Sequence, residues 1–335
     1  MLKAIISGAN GQDASYLAEF LLSKGYEVYG LIRHMALKDQ DNRIGRIKHI
    51  KDKIKLIECD VTSAPTVSKV IQDIQPDEFY HLAAQSFVKT SFEDPNTTYN
   101  INFFGTVNVL QSIRQLVPKC KFYFAATSEM FGEVLEKPQN EKTPFNPRSP
   151  YGISKVAGYY ATKLARDADN LFACSGILFN HESPRRGREF VTQKIVMDLN
   201  AIYKGEKEVL ELGNIDAKRD WGFSGDYVEA MWTMLQQDKP DDYVIATGEN
   251  HTVREFVEIA SRKLGFNLEW SGLGIDEIGT DKNSGKVIVK INKDFYRPAE
   301  VETLCGDASK AKVKFNWKPT TTFEKLVEDM VEAAK

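Results

Sequence analysis

Through its first 180 residues the chain alternates, without a break, between short apolar runs and longer stretches with apolar side chains at helical spacing. Lys3–Ser7, Glu27–Leu31, Ile54–Cys59, Glu78–Leu82, Lys121–Ala125 and Leu171–Leu178 predict strands. Ser15–Lys24, Ala64–Ile74, Thr98–Leu116 and Tyr151–Ala168 predict helices between them. Strand and helix in strict alternation require right-handed crossovers, and so a parallel sheet covered on both faces. Beyond Phe179 the pattern loosens. Arg188–Tyr203, Asp226–Gln237, Val253–Leu264 and Thr322–Ala334 look helical, and Glu208–Leu212, Tyr243–Thr247 and Val287–Ile291 extended. Ser271–Lys286 is polar and Gly-rich.

The turn after the first strand adds chemistry. In Gly8-Ala-Asn10-Gly11-Gln12-Asp13-Ala14, Gly8 permits a tight turn and Gly11 a close backbone approach to a pyrophosphate, while Ala14 is small enough for helix to pack on strand. The helix start then offers N–H groups and partial positive charge to phosphates. The expected fold is therefore α/β, a Rossmann-type doubly wound parallel sheet with a smaller α/β C-terminal substrate domain. Residues 1–179 are assigned to dinucleotide binding and 180–335 mainly to substrate, with segments near 214–250 and 287–305 as candidates to return to the first unit.

The second strand ends Leu31-Ile32-Arg33-His34, with no acid to hold a ribose 2′-hydroxyl. Arg33 suits a 2′-phosphate, which favours NADP; a solvated surface arginine is the competing reading. Asp60-Val61 and Leu82-Ala83-Ala84-Gln85-Ser86 follow later strands, where ligands of such sheets sit, and complete the expected cofactor rim. Tyr151 and Lys155 lie one helical turn apart. A neighbouring cation and the positive nicotinamide ring would both lower the phenol from its reference near ~10 and make it a proton acceptor. Tyr159…Lys163 and Tyr203…Lys207 share the spacing as ordinary helix-face pairs; Pro150, a fitting helix start, selects the first.

Composition removes other classes. The 335 residues are 42% hydrophobic with a formal net charge of −3, which gives no polycation for nucleic acid. No apolar run approaches the ~20 residues of a membrane span, and Leu2–Ile6 leads straight into the glycine turn, so neither a membrane partner nor a secretory leader is expected. Four scattered cysteines suggest reduced thiols and a cytoplasmic protein. The five histidines show no ligand spacing, so no metal site is expected.

Across nearly its whole length the chain resembles the extended short-chain dehydrogenase/reductase family and, more narrowly, its GDP-mannose 4,6-dehydratase branch. The resemblance rests on G-A-N-G-Q-D-A-S-Y-L-A-E from Gly8, L-A-A-Q-S from Leu82, S-F-E-D-P from Ser91, A-T-S-E-M-F-G from Ala126 and S-P-Y-G-I-S-K from Ser149. F-N-H-E-S-P-R-R-G from Phe179 and L-G-N-I-D-A-K-R-D-W-G from Leu212 are the long, specific stretches. It implies a lyase of nucleotide-sugar metabolism acting on GDP-mannose, with bound NADP, as a homodimer or homotetramer.

The resemblance also implies roles. Thr127, Glu129, Tyr151 and Lys155 match the active centre. An alcohol dehydrogenase needs one base, whereas a 4,6-dehydratase needs a second acid/base to take the C5 proton and expel the C6 hydroxyl; Glu129 fills that need. A capping or solvated acid is the bland reading of Glu129. His181 and Arg186 match residues near the nicotinamide end of the cofactor. Ser86, Thr127, Ser128, Asn180, Lys194, Arg219, Arg297 and Glu300 match residues that hold the sugar nucleotide, and arginine and lysine suit a diphosphate.

Ala14 replaces the usual third glycine, Gln193 stands where an arginine commonly precedes Lys194, and His34 stands where a second arginine often follows Arg33. NAD therefore stays open, and the 33–46 loop is atypical. Rival readings are a 4,6-dehydratase for another sugar nucleotide such as a GDP-heptose, an NADP-dependent reductase or epimerase, and a catalytically silent dinucleotide sensor.

Overall fold

A computed structural model describes residues 1–33, 44–295 and 303–335. Its first half runs β1 (Lys3–Ser7), α1 (Gln12–Ser23), β2 (Glu27–Ile32), β3 (Lys55–Glu58), α2 (Ala64–Ile74), β4 (Glu78–His81), α3 (Val88–Glu93), α4 (Pro95–Tyr99), α5 (Gly105–Leu116), β5 (Lys121–Thr127), α6 (Pro150–Asp167) and β6 (Ala173–Leu178). The second half continues with β7 (Asn180–Glu182), α7 (Val191–Tyr203), β8 (Leu210–Leu212), β9 (Lys218–Arg219), β10 (Trp221–Phe223), α8 (Ser224–Leu235) and β11 (Tyr243–Ile245). It ends with β12 (His251–Thr252), α9 (Val253–Lys263), β13 (Leu268–Ser271), β14 (Ile278–Asp281), β15 (Val287–Ile291), α10 (Ser309–Phe315) and α11 (Phe323–Ala334).

Seven parallel strands in the order β11-β6-β5-β4-β1-β2-β3 form the main sheet, the doubly wound arrangement the alternation predicts. Its strands read as continuous apolar runs because both faces are covered. One face packs on α1 and α8 through Leu17, Leu21, Met231 and Met234. The other packs on α2, α5 and α6 through Ile71, Val109, Ile113 and Tyr159. Burying each such side chain stabilises the fold by about 1.5–3 kcal/mol. The strand order reverses between β1 and β4, the switch point beyond whose strand C-termini ligands of such sheets bind.

A third core lies under a four-stranded sheet, β13-β14-β15-β8, and joins α7, α9 and α11 through Leu199, Phe256, Val257, Leu326 and Val327. Tyr243–Ile245 pairs with β6 in the main sheet, whereas Val287–Ile291 pairs with β8 in the small one.

Three local differences from the expected elements have physical causes. The helix expected over 98–116 is broken into α4, a π turn at Asn100–Phe104 and α5, and buried Asn102 sits in that π turn. The Gly-rich 271–286 stretch contains β14; Gly279 is needed there because a Cβ would press on Trp270 and Val289, so its glycine served packing and not a loop. Helix α10 escaped notice because its Ser-Lys-Ala-Lys-Val-Lys-Phe run is mostly solvated lysine.

Candidate active site

Gly8 takes φ +71°, a conformation open chiefly to glycine, and any Cβ there would stand 2.9 Å from the Ala83 Cα. That contact brings the β1–α1 turn and the Leu82–Ser86 rim against each other. Ser7 ties them further. Its Oγ accepts from the Leu82 and Ala83 N–H groups, both at 3.1 Å, so its own proton goes to His81 Nδ1 at 2.9 Å. Burial and the nearby Lys155 charge hold His81 down at about 3, which keeps that imidazole neutral. Neither Ser7 nor His81 belongs to a motif; the only signal was a polar residue at the end of an apolar strand.

Asn102 performs a similar service from its π turn. Its side chain accepts from Gln85 N at 2.8 Å, donates to Gln85 O at 3.0 Å, and donates to Ser154 Oγ at 3.0 Å. One amide thus joins the rim to helix α6, one residue before Lys155. Gly11 is the N-cap of α1 and supplies no side chain to cap it. Asn10 lies half-buried in the turn, and its carbonyl accepts from Arg46, which also donates to Arg185 O at 2.6 Å. Sequence reasoning passed over Arg46, which carries no motif. Asp60 is exposed at the end of β3 and caps Thr62, with Val61 buried beside it. Arg33 is exposed at the end of β2.

Asp13, expected on the cofactor rim, turns its side chain inward. Its carboxylate accepts from His181 Nε2 at 2.8 Å, Ser224 Oγ at 2.8 Å and Gln12 Nε2 at 3.0 Å. Gln12 also holds His181 O and Ser183 Oγ. Arg186 pairs with buried Glu182 at 3.0 Å and lies over the Phe190 ring.

At the end of β5, Thr127, Ser128 and Glu129 turn into a single 3₁₀ turn, with Ser128 buried and Glu129 half-buried. Thr127 Oγ1 accepts from Glu129 N at 3.3 Å. Ser149 caps α6 by accepting from Gly152 N at 3.0 Å, and Pro150 starts the helix, which sets buried Tyr151 facing Thr127. Gly152 must be small, since a Cβ there would meet Glu129 O at 2.8 Å.

The electrostatics differ from the expectation drawn from spacing. Burial pushes the Tyr151 phenol well above its ordinary value; hydrogen bonding from Thr127 and the Arg186 charge lower it, and Glu129 and Asp13 raise it. Lys155 stays near the ring but is bonded elsewhere. Its Nζ donates to Ala125 O at 2.8 Å and stands 5.9 Å from the Tyr151 ring centroid. Burial alone lowers Lys155 to about 7.

Asn180 opens β7. Lys194, on α7, donates to Glu211 O at 2.7 Å and covers the Phe295 ring, so it is engaged with the small sheet. Buried Arg219 sits in β9 opposite His251. Arg297, Glu300 and His34 lie outside the described residues. Among the described residues no group of histidine, cysteine or acidic side chains could hold a metal ion, and no helix is long and apolar enough to cross a membrane.

With this geometry in place, comparison with known proteins is decisive. The profile of the GDP-mannose 4,6 dehydratase family matches residues 5–330. The chain belongs to that family. It is 49% identical over 340 residues to the human GDP-mannose 4,6 dehydratase, covering 98% of this chain and 90% of that one. Its fold is similar to that of dTDP-glucose 4,6-dehydratase from Bacillus anthracis in complex with NAD, with a TM-score of 0.81 at 19% identity, covering 99% of this chain and 96% of that one. It is also similar to RMD from Pseudomonas aeruginosa complexed with NADPH, with a TM-score of 0.78 at 19% identity, covering 100% of this chain and 99% of that one.

Proposed function

We propose that this member of the family is a hydro-lyase that converts GDP-mannose to GDP-4-keto-6-deoxymannose and water, with a nicotinamide dinucleotide retained as cofactor. The observation that carries the reading is the half-buried Glu129, whose charge acts on the buried Tyr151 phenol. A reductase or an epimerase has no use for that second acid/base.

The residues present fit a dinucleotide. The Gly8 turn has no room for a side chain, and the α1 N-terminus is uncapped by any side chain. When bound, the cofactor takes a hydride from C4 and returns it to C6. Thr127 orients the O4 hydroxyl and Tyr151 accepts its proton. The phenol sits too high to do so unaided; a cationic nicotinamide ring held beside it would lower it. The resulting 4-ketone acidifies C5–H, which Glu129 removes; Glu129 then donates that proton to the departing C6 hydroxyl, and Tyr151 returns to C5 the proton it took from O4 as C6 is reduced. Lys155 steadies the ribose beside Tyr151, and Ser86 and Ser128 line the sugar.

Arg33, with no acid beside it, supports NADP over NAD. His181 and Arg186 serve the nicotinamide end, and Asn180, Lys194, Arg219, Arg297 and Glu300 the nucleotide of the substrate. The main-sheet unit, 1–179 with 224–245, holds the cofactor, and the small-sheet unit holds the sugar nucleotide. Four free cysteines favour the cytoplasm. A homo-oligomer fits the exposed Ile153, Tyr160 and Leu164, which share one face of α6 and suit a second copy of the chain.

Incubation with GDP-mannose deuterated at C4 is expected to yield a 4-keto-6-deoxy sugar nucleotide with deuterium at C6. Label lost to solvent, or no turnover of GDP-mannose while another sugar nucleotide is dehydrated, would sink this assignment.

A further inference from the structure

His181 has a hydrogen-bond acceptor at each ring nitrogen. Nδ1 stands 2.7 Å from Phe179 O, and Nε2 stands 2.8 Å from Asp13 Oδ2. A carbonyl oxygen can only accept. A neutral ring with its proton on Nε2 would set two lone pairs against each other at Phe179 O. The other neutral tautomer avoids that clash only if Asp13 carries the proton. Asp13 is poorly placed to do so, because its carboxylate also accepts from Ser224 Oγ and Gln12 Nε2 and lies in the first turn of α1, where negative charge is favoured.

We infer that Asp13 holds His181 as an imidazolium at neutral pH, and that this ion pair is the bolt joining the dinucleotide turn to the 180–186 segment. Asp13 is a positioning residue that acts through His181. The bolt spans three elements: α1 through Asp13, β7 through His181, and the first turn of α8 through Ser224. The ring is packed face to face on Tyr227 at 4.7 Å, so it cannot rotate away. With both nitrogens engaged within the protein, His181 has no N–H to offer a ligand; it contributes fixed charge and backbone placement. Five residues on in the same segment lies Arg186, whose charge reaches Tyr151.

The surrounding charges agree. Burial lowers His181, but the Asp13 charge and hydrogen bond outweigh it and raise the group overall, against the opposing Arg186. Burial raises Asp13, yet His181, Gln12 and Ser224 hold it well below the ordinary carboxylate range. Glu182 on the same strand, Tyr227 on α8, Tyr16 on α1, Tyr123 on β5, Tyr151 on α6 and Arg46 also face the pair, the last four feeling the Asp13 charge.

The consequence for binding rests on the dinucleotide reading above, but the pair itself is tested without ligand. Long-range ¹H–¹⁵N correlation spectra of the unloaded protein, with His181 assigned by difference from His181→Gln, are expected to show two protonated ring nitrogens at pH 7. The titration midpoint should lie above the ordinary ~6.5. In Asp13→Asn the midpoint should fall to ~6.5 or below, and Asp13→Glu should restore it. NADPH affinity by fluorescence titration should drop about tenfold, or ~1.4 kcal/mol, in Asp13→Asn and recover in Asp13→Glu. One protonated nitrogen at pH 7 in the parent protein overturns the proposal, and that spectrum decides even if Asp13→Asn fails to fold. Normal spectra with no turnover of GDP-mannose would break the functional assignment and leave the bolt standing.

Discussion

On the dinucleotide side of the site, a network of hydrogen bonds ties turn to rim: Asp13 accepts three, Ser7 Oγ takes two N–H groups and donates to His81, and Asn102 satisfies both faces of Gln85's backbone, while His81 Nε2 and Gln85 Oε1 are buried without a partner among the described residues. On the opposite side, no described residue donates to the Glu129 carboxylate, Tyr151 is a buried phenol pushed away from ionisation, and Lys155 sits in surroundings that disfavour its charge. The first wall is preorganised to hold a ligand at no further ordering cost. The second holds its acid–base groups by single hydrogen bonds, Lys155 to Ala125 O and Tyr151 to Thr127, and their burial costs stability.

If that contrast is right, the two walls respond oppositely to substitution. Tyr151→Phe and Glu129→Gln should each lower product formation by about 10²–10⁴-fold, the usual scale of general acid–base catalysis, with little change in thermal stability. They should differ in kind. Tyr151→Phe abolishes C4 oxidation, so the bound cofactor never becomes reduced. Glu129→Gln still accumulates reduced cofactor and 4-ketone but releases no water. Rapid-quench product analysis with absorbance of the reduced nicotinamide separates the two. Abundant 6-deoxy product from Glu129→Gln would erase the distinction between dehydratase and reductase chemistry on which the wall's purpose depends.

Lys155→Met should cut deeper into activity than into the fold. A buried lysine lowered to about 7 binds fewer protons folded than unfolded from there up to its ordinary ~10.4. The unloaded parent protein should therefore gain stability as pH rises across that window. Methionine fills the volume without the charge, so at pH 7 the variant should be more stable by on the order of 2 kcal/mol and lose that slope. Chemical denaturation of the unloaded proteins at pH 7 and pH 9 checks it. A destabilised Lys155→Met would mean that the ammonium is well solvated where it stands.

Asp13→Asn should show the reverse sign. The depressed Asp13 contributes stability above its ordinary ~3.9, lost as pH falls through its lower folded value. The raised His181 contributes below its ordinary ~6.5, lost as pH climbs through its folded value. The substitution should therefore cost most between about pH 4 and 6.5, by about 3 kcal/mol for one partner of a largely buried pair, and progressively less toward alkaline pH. A cost that does not vary with pH would assign Asp13 a packing role only.

How much of this was legible beforehand follows the same division. The strand-and-helix rhythm, Gly8, and the Tyr151–Lys155 pair declare themselves by period and spacing, because sheet crossovers and glycine turns are local in sequence. The Ser7–His81, Asn102–Gln85 and Asp13–His181 ties join residues 74, 17 and 168 positions apart and follow no period. They show only as polar residues in apolar company. The surroundings of Lys155 and Tyr151 were hidden for a related reason. Spacing places two side chains on one helix face, but it does not say that the lysine will reach the Ala125 carbonyl, or that burial will dominate the phenol.

The smallest effect belongs to the rim of the well-tied wall. Arg33 is exposed at the end of β2, outside the network of fixed hydrogen bonds. A solvated arginine gains less from a 2′-phosphate than a desolvated one, since water and salt screen the pair. Arg33→Ala should weaken NADP binding relative to NAD by about tenfold, or ~1.4 kcal/mol, and leave the affinity for NAD nearly unchanged. The preference should also shrink as salt rises in the parent protein but not in the variant, because only an exposed ion pair is screened over a Debye length of ~10 Å at 0.1 M. Competition of the two dinucleotides for the unloaded protein at low and high ionic strength measures both. A preference for NADP that survives Arg33→Ala intact would move the phosphate clamp off this strand end and back among the tied residues.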